Sequence, residues 1–531
     1  MRANILSTER HAWRRYETEN QQILATGDPS TVDAFTDLFS RGAPDRDAIV
    51  RVARRQPGHY ALALKSPESC FAIVDHCRSS PIFYTDTHVS NDAHLLRSEE
   101  DLRQPNQTAI AHASMAGFVT GNQTLSAGMH QLRAGEFALW SASQSAPRID
   151  RHHIYMPTAT RTEPEGELID EMLSVLDGAI ARTIEAAAGR PIWVPLSAGL
   201  DSRLLLAKFV EHGYDNLQAF TYGPPHNDER RAAQTIAERL SVPWAFYPSR
   251  PAAMRRFFVS PDRAAYWRYC DGLSSVPNFQ DFLTLFLLDA RATLPEDAVI
   301  VNGQTGDFIT GGHIPATLMQ GDTDANGLFE AIVAKHYSLW TSLKTSNRLA
   351  ALREHVCAEL GLEVGDKLER DAAIAHYERF ELEERQAKYV VNGQRNYEFL
   401  QRDWSLPLWD RAFVDFWQNI PVGFKYRQAL FTKALARWNY QGLFRDFTPT
   451  VDQWSGLTKA VLVPSRLIRL TFGPKVRDRF LRRMLYFGMY RDQYAPFGYA
   501  EFLRSAADLR NPVSLLSRAW LAEHAAEMNA G

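Results

Sequence analysis

Residues 194–203 read VPLSAGLDSR: an apolar run stops at Leu196, gives way to Ser197-Ala198-Gly199-Leu200-Asp201-Ser202, and resumes as LLLAKFVEHG. A strand ending at Leu196 and a helix beginning near Ser202 aim successive backbone N–H groups and a helix N-terminus into one concavity, an arrangement that binds anions such as phosphate. Gly199 and Ala198 let the backbone approach closely, and Ser197 and Ser202 add hydroxyl donors. Asp201 has the wrong charge for phosphate unless a cation such as Mg²⁺ lies between them. The same six residues also suit a plain turn in which Asp201 or Ser202 caps the helix. A Walker A loop, GxxxxGK[ST], occurs nowhere, and no GxGxxG opens a nucleotide fold.

Working outward, Leu168, Met172, Leu176, Ile180 and Ile184 form one helical stripe with Gly189 placed to end it. Then follow PIWVPLS, a helix from Ser202 to His212 closed by Gly213, the strand-like LQAFTYG, the helix DERRAAQTIAERL and VPWAFYP. Strand, helix, strand, helix, strand at this spacing predicts a parallel doubly wound sheet. AVIVNGQTGD (298–307) reads as a further strand and a Gly-containing loop, and ligands of such sheets bind at the carboxyl ends of strands.

From about residue 57 to 150 the runs HYALAL, CFAIVD, PIFYT and GEFALWSA alternate between turn residues, which predicts an antiparallel β-rich layer with one or two helices. HHIYMPTATRTEPEG has no apolar period and places a domain boundary near residues 155–166. Residues 325–531 are mostly helical patterns. Within them RLIRLTFGPKVRDRFLRRMLYF (466–487) is basic with interleaved aromatics. It reads as a solvated helix face with buried Leu and Phe in preference to a membrane-surface or nucleic-acid face, because Gly473-Pro474 interrupts a single amphipathic helix.

At 531 residues the chain exceeds one core at about 150 residues per domain. A net charge of −3 gives no reason to expect a polyanionic partner. Cys70, Cys77, Cys270 and Cys357 are too scattered for a disulfide framework or a zinc site. With no leader-like start and no apolar stretch near the roughly 18 residues of a membrane span, the expectation is a cytoplasmic protein with no membrane span and no nucleic-acid partner.

Ser197-Ala198-Gly199-Leu200-Asp201-Ser202 resembles the SGGxDS pyrophosphate loop of the asparagine synthetase family, with Ala198 in place of one glycine, and is similar to loops of other ATP pyrophosphatases. Three further stretches narrow the resemblance. Phe220-Thr221-Tyr222-Gly223, then Asp228-Glu229 and Ala232-Ala233, is similar to that family's second strand and DE…A helix. Val301-Asn302-Gly303-Gln304-Thr305-Gly306-Asp307, with Gly311-Gly312 behind it, resembles its xSGEGxDExxGGY loop. Pro407-Leu408-Trp409-Asp410, then Ile420-Pro421, Lys425 and Lys433, looks like PFLD followed by P…K and a second lysine. In the amino-terminal region, Val74 to Tyr84 is similar to the RDxxGxxPLYY segment of the family's glutaminase-like domain, and Gly121 to Glu136 resembles its xTxxxGIxxLxPGE segment.

The resemblance implies an α/β protein in two domains. Residues 1–158 would be an Ntn-hydrolase-like, antiparallel β-rich α+β glutaminase-like domain. Residues 163–531 would be a doubly wound parallel-sheet ATP-pyrophosphatase domain, adenine nucleotide α-hydrolase-like, with a helical extension. It implies ATP and Mg²⁺ as cofactors and a C–N ligase reaction in which a small-molecule carboxylate is adenylated and an amine or ammonia displaces AMP. By the match to the family, Leu196, Ser197, Ala198, Gly199, Asp201, Ser202, Tyr222, Asn302 and Gly303 surround ATP, and Asp201 and Asp307 hold Mg²⁺. The lysine that faces the phosphates has candidates in Lys459 and Lys425, with Lys433 behind them, each of which also reads as a surface charge.

Two departures bear on chemistry. The family's glutaminase uses a cysteine directly after the initiator methionine; here Met1-Arg2-Ala3 stands, so the expectation is a silent amino-terminal domain. Gln304 and Phe308 replace two acidic positions of SGEGxDE, and a glutamine cannot act as general base. The amine therefore belongs to the substrate, to ammonia, or to a separate glutaminase subunit; a homodimer is also left open. Two other readings stand beside this one: a tRNA- or nucleobase-modifying ATP pyrophosphatase, which needs a basic groove, and a degraded synthetase kept as a scaffold.

Overall fold

The computed structural model describes residues 3–530 except 57, 99, 142–143, 225–228, 280, 448–455, 478, 481–483, 485–489 and 491–493. It is a mixed α/β protein with several sheets, one of them parallel. The amino-terminal part contributes β1 (Asn4–Leu6), β2 (Arg14–Glu17), β3 (Gln22–Thr26), β4 (Ala61–Lys65), β5 (Ser69–Val74), β6 (Phe83–Tyr84), β7 (His88–Ser90), β8 (His130–Gln131), β9 (Glu136–Ser141) and β10 (Arg148–Arg151). Helices α1 (Pro29–Ser40), α2 (Arg46–Arg55), α3 (Ala93–Arg97) and α4 (Gln107–Ala116) lie between them.

The strands form two sheets, in the orders β10-β9-β5-β4-β3-β2 and β1-β7-β6-β8, where a single layer with one or two helices was expected. Every pair is antiparallel except β1 with β7. Alternation along β5 shows how the layers stack. Cys70, Ala72 and Val74 pack with Ile82, Tyr84 and Leu132 of the second sheet, while Phe71 and Ile73 pack with Phe35, Phe39 and Ile49 of α1 and α2. Phe83 turns the other way, toward Ala93 of α3 and Ala109 of α4. The order is thus helices, sheet, sheet, helices. Strands β1–β3 precede residue 57, outside the stretch read as strands from the sequence; β2, RRYE, is an exposed charged edge with no apolar alternation.

Helix α5 (Glu165–Ala187) buries Leu168, Met172, Leu176 and Ile180, the stripe read from the sequence, and ends at Ala188 in the left-handed region. Then come β11 (Ile192–Pro195), α6 (Leu200–Glu211), β12 (Leu217–Gly223), α7 (Glu229–Leu240), β13 (Trp244–Pro248) and β14 (Val299–Val301). After a short antiparallel pair, β15 (Thr323–Asp324) with β16 (Lys367–Leu368), strand β17 (Asp403–Ser405) returns to the sheet. The parallel order is β13-β12-β11-β14-β17. The chain winds from β11 through β12 to β13, then crosses to β14 on the other side. That reversal between β11 and β14 is a topological switch point, where open α/β sheets bind ligands.

Both faces of this sheet are covered, as parallel sheets require. Ile192 and Val194 of β11 and Val299 and Val301 of β14 join the α5 and α6 side chains in one core. Trp193, Phe220 and Ile300 point into another with Tyr266, Phe282, Tyr397 and Trp520. Most elements after residue 325 are helical, including a π-helical stretch, Glu381–Val390. No helix among the described residues is long and apolar enough to cross a membrane.

The expected burial of Leu and Phe in the basic segment does not hold. Helix Gly456–Phe472 leaves Leu467, Leu470 and Phe472 exposed. No neighbouring element covers that face among the described residues, and amphipathic spacing alone does not guarantee a partner.

Candidate active site

Strands β11 and β14 are hydrogen-bonded neighbours, so the loops leaving their carboxyl ends, 196–199 and 302–305, meet over one cavity of about 520 Å³. Helix α6 begins at Leu200 with Gly199 as its N-cap and no side-chain cap, which removes the reading of Asp201 or Ser202 as a capping residue. Ser202 instead reaches back into the loop. Its Oγ accepts from the Ser197 N–H at 3.0 Å and lies 3.1 Å from Ser197 Oγ, while the Gly199 N–H donates to Ser197 Oγ at 3.1 Å. From below, Arg203 fixes the loop, donating to the carbonyls of Ala198 at 2.6 Å and Leu443 at 2.8 Å.

The second loop fits against the first through glycine. A Cβ on Gly303 would sit 3.0 Å from Ser202 N, and one on Gly306 would sit 2.8 Å from Asp201 Cγ and 2.6 Å from Leu408 Cδ1. Close approach brings the two carboxylates together: the Asp307 N–H donates to Asp201 Oδ2 at 3.1 Å. Burial, then the charge of Asp307, pushes the Asp201 carboxyl up to about 7. Burial also acts to raise Asp307, but the hydrogen bond and charge of His313 outweigh it and hold that carboxyl below its usual range. His313 Nε2 lies 3.0 Å from Asp307 Oδ2 and its Nδ1 lies 2.5 Å from Glu381 Oε1. Burial lowers the His313 imidazole, yet these two carboxylates prevail and raise it to about 9. Glu381, fully buried, is held well below the usual range against burial by His336 and His313.

Leu196, Ser197, Gly199, Asp201, Ser202, Tyr222, Asn302, Gly303 and Asp307 all border the cavity. Ala198 does not; it is buried, its carbonyl taken by Arg203. Asn302 donates to Tyr397 OH at 2.8 Å, and Tyr397 OH to Asp281 Oδ2 at 2.7 Å, fixing the wall below the loop. Gln304 accepts from Gln394 at 2.9 Å, and Phe308 is buried beside Trp409. The family-predicted lysines are placed differently. Lys425 is fully buried, donating to Glu378 at 2.7 and 2.9 Å and to Tyr155 OH at 3.2 Å, away from the cavity wall. Lys433 pairs with Glu165 on the surface. Lys459 lies in helix Gly456–Phe472, its side chain outside the described residues, as is Asp228.

Asp281, Thr305 and Gln428 also line the cavity; Thr305 was quoted within the second loop without a role, and the other two were not read from the sequence. Gln428 stands in the left-handed region and reaches Thr310 Oγ1 at 2.8 Å. Nothing local marks Asp281 or Gln428, whereas His313 follows the quoted Gly311-Gly312 directly and could have been found there. Among the described residues the lining holds four carboxylates, Asp201, Glu229, Asp281 and Asp307, and no Lys or Arg. A polyanionic ligand enters such a wall only with cations. The two adjacent carboxylates, one raised by burial and then by the charge of the other, suit a hard divalent ion with oxygen ligands.

Comparison with known proteins matches the asparagine synthase family model to residues 171–446, more than half of the chain. No curated protein matches it. Among solved structures, glutamine phosphoribosylpyrophosphate amidotransferase from B. subtilis, complexed with ADP and GMP, aligns at 11% identity and a TM-score of 0.15. That alignment covers 55% of this chain, which spans 63% of the other.

Proposed function

Because the chain belongs to the asparagine synthase family, we propose that it is an ATP-dependent, AMP-forming ligase that adenylates a small-molecule carboxylate and joins it to an amine or ammonia. The observation that carries this reading is the juxtaposed Asp201 and Asp307 at the switch point, beside a loop of small and hydroxyl residues. In the first step a substrate carboxylate oxygen bonds to the α-phosphorus of ATP as the bond to the β-phosphate bridging oxygen breaks, releasing pyrophosphate. In the second an amine nitrogen attacks the acyl carbon, AMP departs with the bonding pair, and the nitrogen loses a proton.

The loop 196–202 receives the departing pyrophosphate. Ser197 and Ser202, which here bond each other and the loop N–H groups, exchange those bonds for phosphate oxygens. Tyr222, Asn302 and Gly303 border the adenosine. Asp201 and Asp307 hold Mg²⁺, which supplies charge neutralisation for the polyphosphate. His313 keeps Asp307 ionised, and Lys459 is the lysine left to face the phosphates. Gln304 supplies no base, so the amine arrives already neutral or loses its proton elsewhere.

In this reading residues 1–158 form the Ntn-like domain and residues 163–531 the synthetase domain. The helix–sheet–sheet–helix layering of the first supports the assignment. All four cysteines are buried; burial pushes the Cys70 thiol up to about 12 and the Cys77 thiol well above its ordinary value. Neither is an attacking thiolate, and the domain is proposed to be silent toward glutamine.

ATP–pyrophosphate exchange with Mg²⁺ across aspartate, uronic acids and amino-acid-derived diacids tests the proposal. Exchange with one acid, lost in Asp201→Ala, supports it and names the acid class. Failure to bind ATP rejects it in favour of the scaffold reading.

A further inference from the structure

Residues 466–472 of helix Gly456–Phe472, beyond the turns that carry Lys459, and the helical residues 474–477 after it form a surface that the ligase reading does not use. Eleven large hydrophobic side chains are exposed among the described residues, and four fall within ten positions here: Leu467 at 64%, Leu470 at 83%, Phe472 at 69% and Val476 at 44%. Single exposed leucines are ordinary, but this density is not. Between them stand Arg466, Arg469 and Lys475, all exposed, and Arg477, half-buried.

Residues 466–477 contain four Lys or Arg and no Asp or Glu, within a chain of net charge −3. The arm is therefore locally cationic. At 100° per residue Leu467 and Leu470 share a face, and Arg466 and Arg469 flank it on one side. Long cationic side chains beside an apolar stripe can keep their heads in water while the stripe is covered. Gly473, in the left-handed region at φ 80°, then turns the chain so that Lys475 and Val476 follow on a second short segment.

We propose that this arm docks on an anionic lipid bilayer surface, with Leu467 and Leu470 entering the acyl boundary and Arg466, Arg469 and Lys475 meeting the headgroups. The match is one of charge and layering. A bilayer offers anionic headgroups directly above an apolar layer, so cations and adjacent apolar groups are satisfied together. A nucleic acid satisfies only the cations and leaves Leu467 and Leu470 in water.

The test is co-sedimentation of the full chain with phosphatidylcholine vesicles and with mixed phosphatidylcholine–phosphatidylglycerol vesicles. The expected result is binding to the mixed vesicles, weakened at least tenfold by 0.5 M NaCl and by Leu467→Glu/Leu470→Glu, and little binding to neutral vesicles. Because these residues are exposed, the variant's unchanged thermal unfolding and ATP affinity separate a lost surface from a lost fold, and separate this proposal from the ligase reading. Arg466→Gln/Arg469→Gln should reduce binding to the anionic vesicles alone. No sedimentation with anionic vesicles, sedimentation unaltered by the leucine variant, or tighter binding to a DNA duplex that the leucine variant leaves intact would each overturn it.

Discussion

The backbone N–H of Asp307 donates to the Asp201 carboxylate at 3.1 Å, so one acidic loop supports the carboxylate of the other before any ligand is present. The contact crosses 106 residues of sequence and exists because β11 and β14 are neighbours.

Asp201 carries a cost in the free protein. Its carboxyl stands at about 7 because burial and Asp307 disfavour its charge. Between the unfolded value near 3.8 and about 7 the native state holds the extra proton, so this group's contribution to stability falls as pH rises through that window. Asp201→Asn should therefore be more stable than wild type at pH 8, by about 1–2 kcal/mol, and indistinguishable at pH 4. Urea unfolding at the two pH values checks this. The same variant should lose pyrophosphate exchange, and wild-type Mg²⁺-dependent ATP affinity should rise as pH climbs through about 7.

His313 has the same direction of pH dependence, but as a favourable contribution in place of a cost. Raised to about 9 by Asp307 and Glu381, it contributes stability that is present below about 6.5 and is lost as pH rises through 9. His313→Gln should destabilise the protein by about 2 kcal/mol at pH 6, and the gap to wild type should close by pH 10. Thermal unfolding across that range supplies the measurement. A gap that stays constant with pH would show that His313 acts by packing alone.

Gly306→Ala addresses loop geometry. The added methyl meets the Asp201 carboxyl carbon at 2.8 Å and Leu408 at 2.6 Å, so one must move. A displacement of an ångström at a reacting centre costs about a hundredfold. Exchange activity should fall by that order while far-ultraviolet circular dichroism stays unchanged.

Lys425 and Glu378 are both fully buried and pair with each other, so Lys425→Met should leave an unpaired buried charge and cost about 3–5 kcal/mol. Lys425→Met/Glu378→Leu should recover most of that stability and keep pyrophosphate exchange. A double variant that is stable but inactive would return Lys425 to the phosphates. For Lys459→Ala the expectation is an exchange rate reduced at least tenfold.

Much of the parallel sheet was legible because β11, β12 and β13 are apolar runs separated by helices with 3.6-residue stripes, and two cores alternate along them. The β17 strand, DWS, was not, since three residues carry no period and its partner β14 is a hundred positions away. In the site, the residues of contiguous motifs were readable: Ser197, Gly199, Asp201, Ser202, Asn302, Gly303 and Asp307 all border one cavity. Asp281 and Gln428 arrive from separate helical segments, and only tertiary packing selects them. Lys425 marks the limit of spacing for a physical reason: a lysine of fixed spacing after a motif has the same one-letter form whether it faces a phosphate or a buried glutamate.

The buried pair Lys388–Glu384 of the π-helical stretch has a bearing on how this protein can evolve. Lys388 donates to the carbonyls of Val119 and Gly121 at 2.9 and 2.6 Å, Glu384 accepts from the Gly121 N–H at 3.1 Å, and Arg395 donates to the carbonyl of Ser79 at 2.9 Å. Amino-terminal backbone thus serves as the solvent for charges that belong to the second half of the chain. Deleting that half-shell exposes an ion pair and an arginine that have no other described ligands of equal number, along with the apolar surface around them. The segment therefore cannot be shed in one step. A side-chain change within it is a cheap mutation, whereas loss of the layers is an unfolding one.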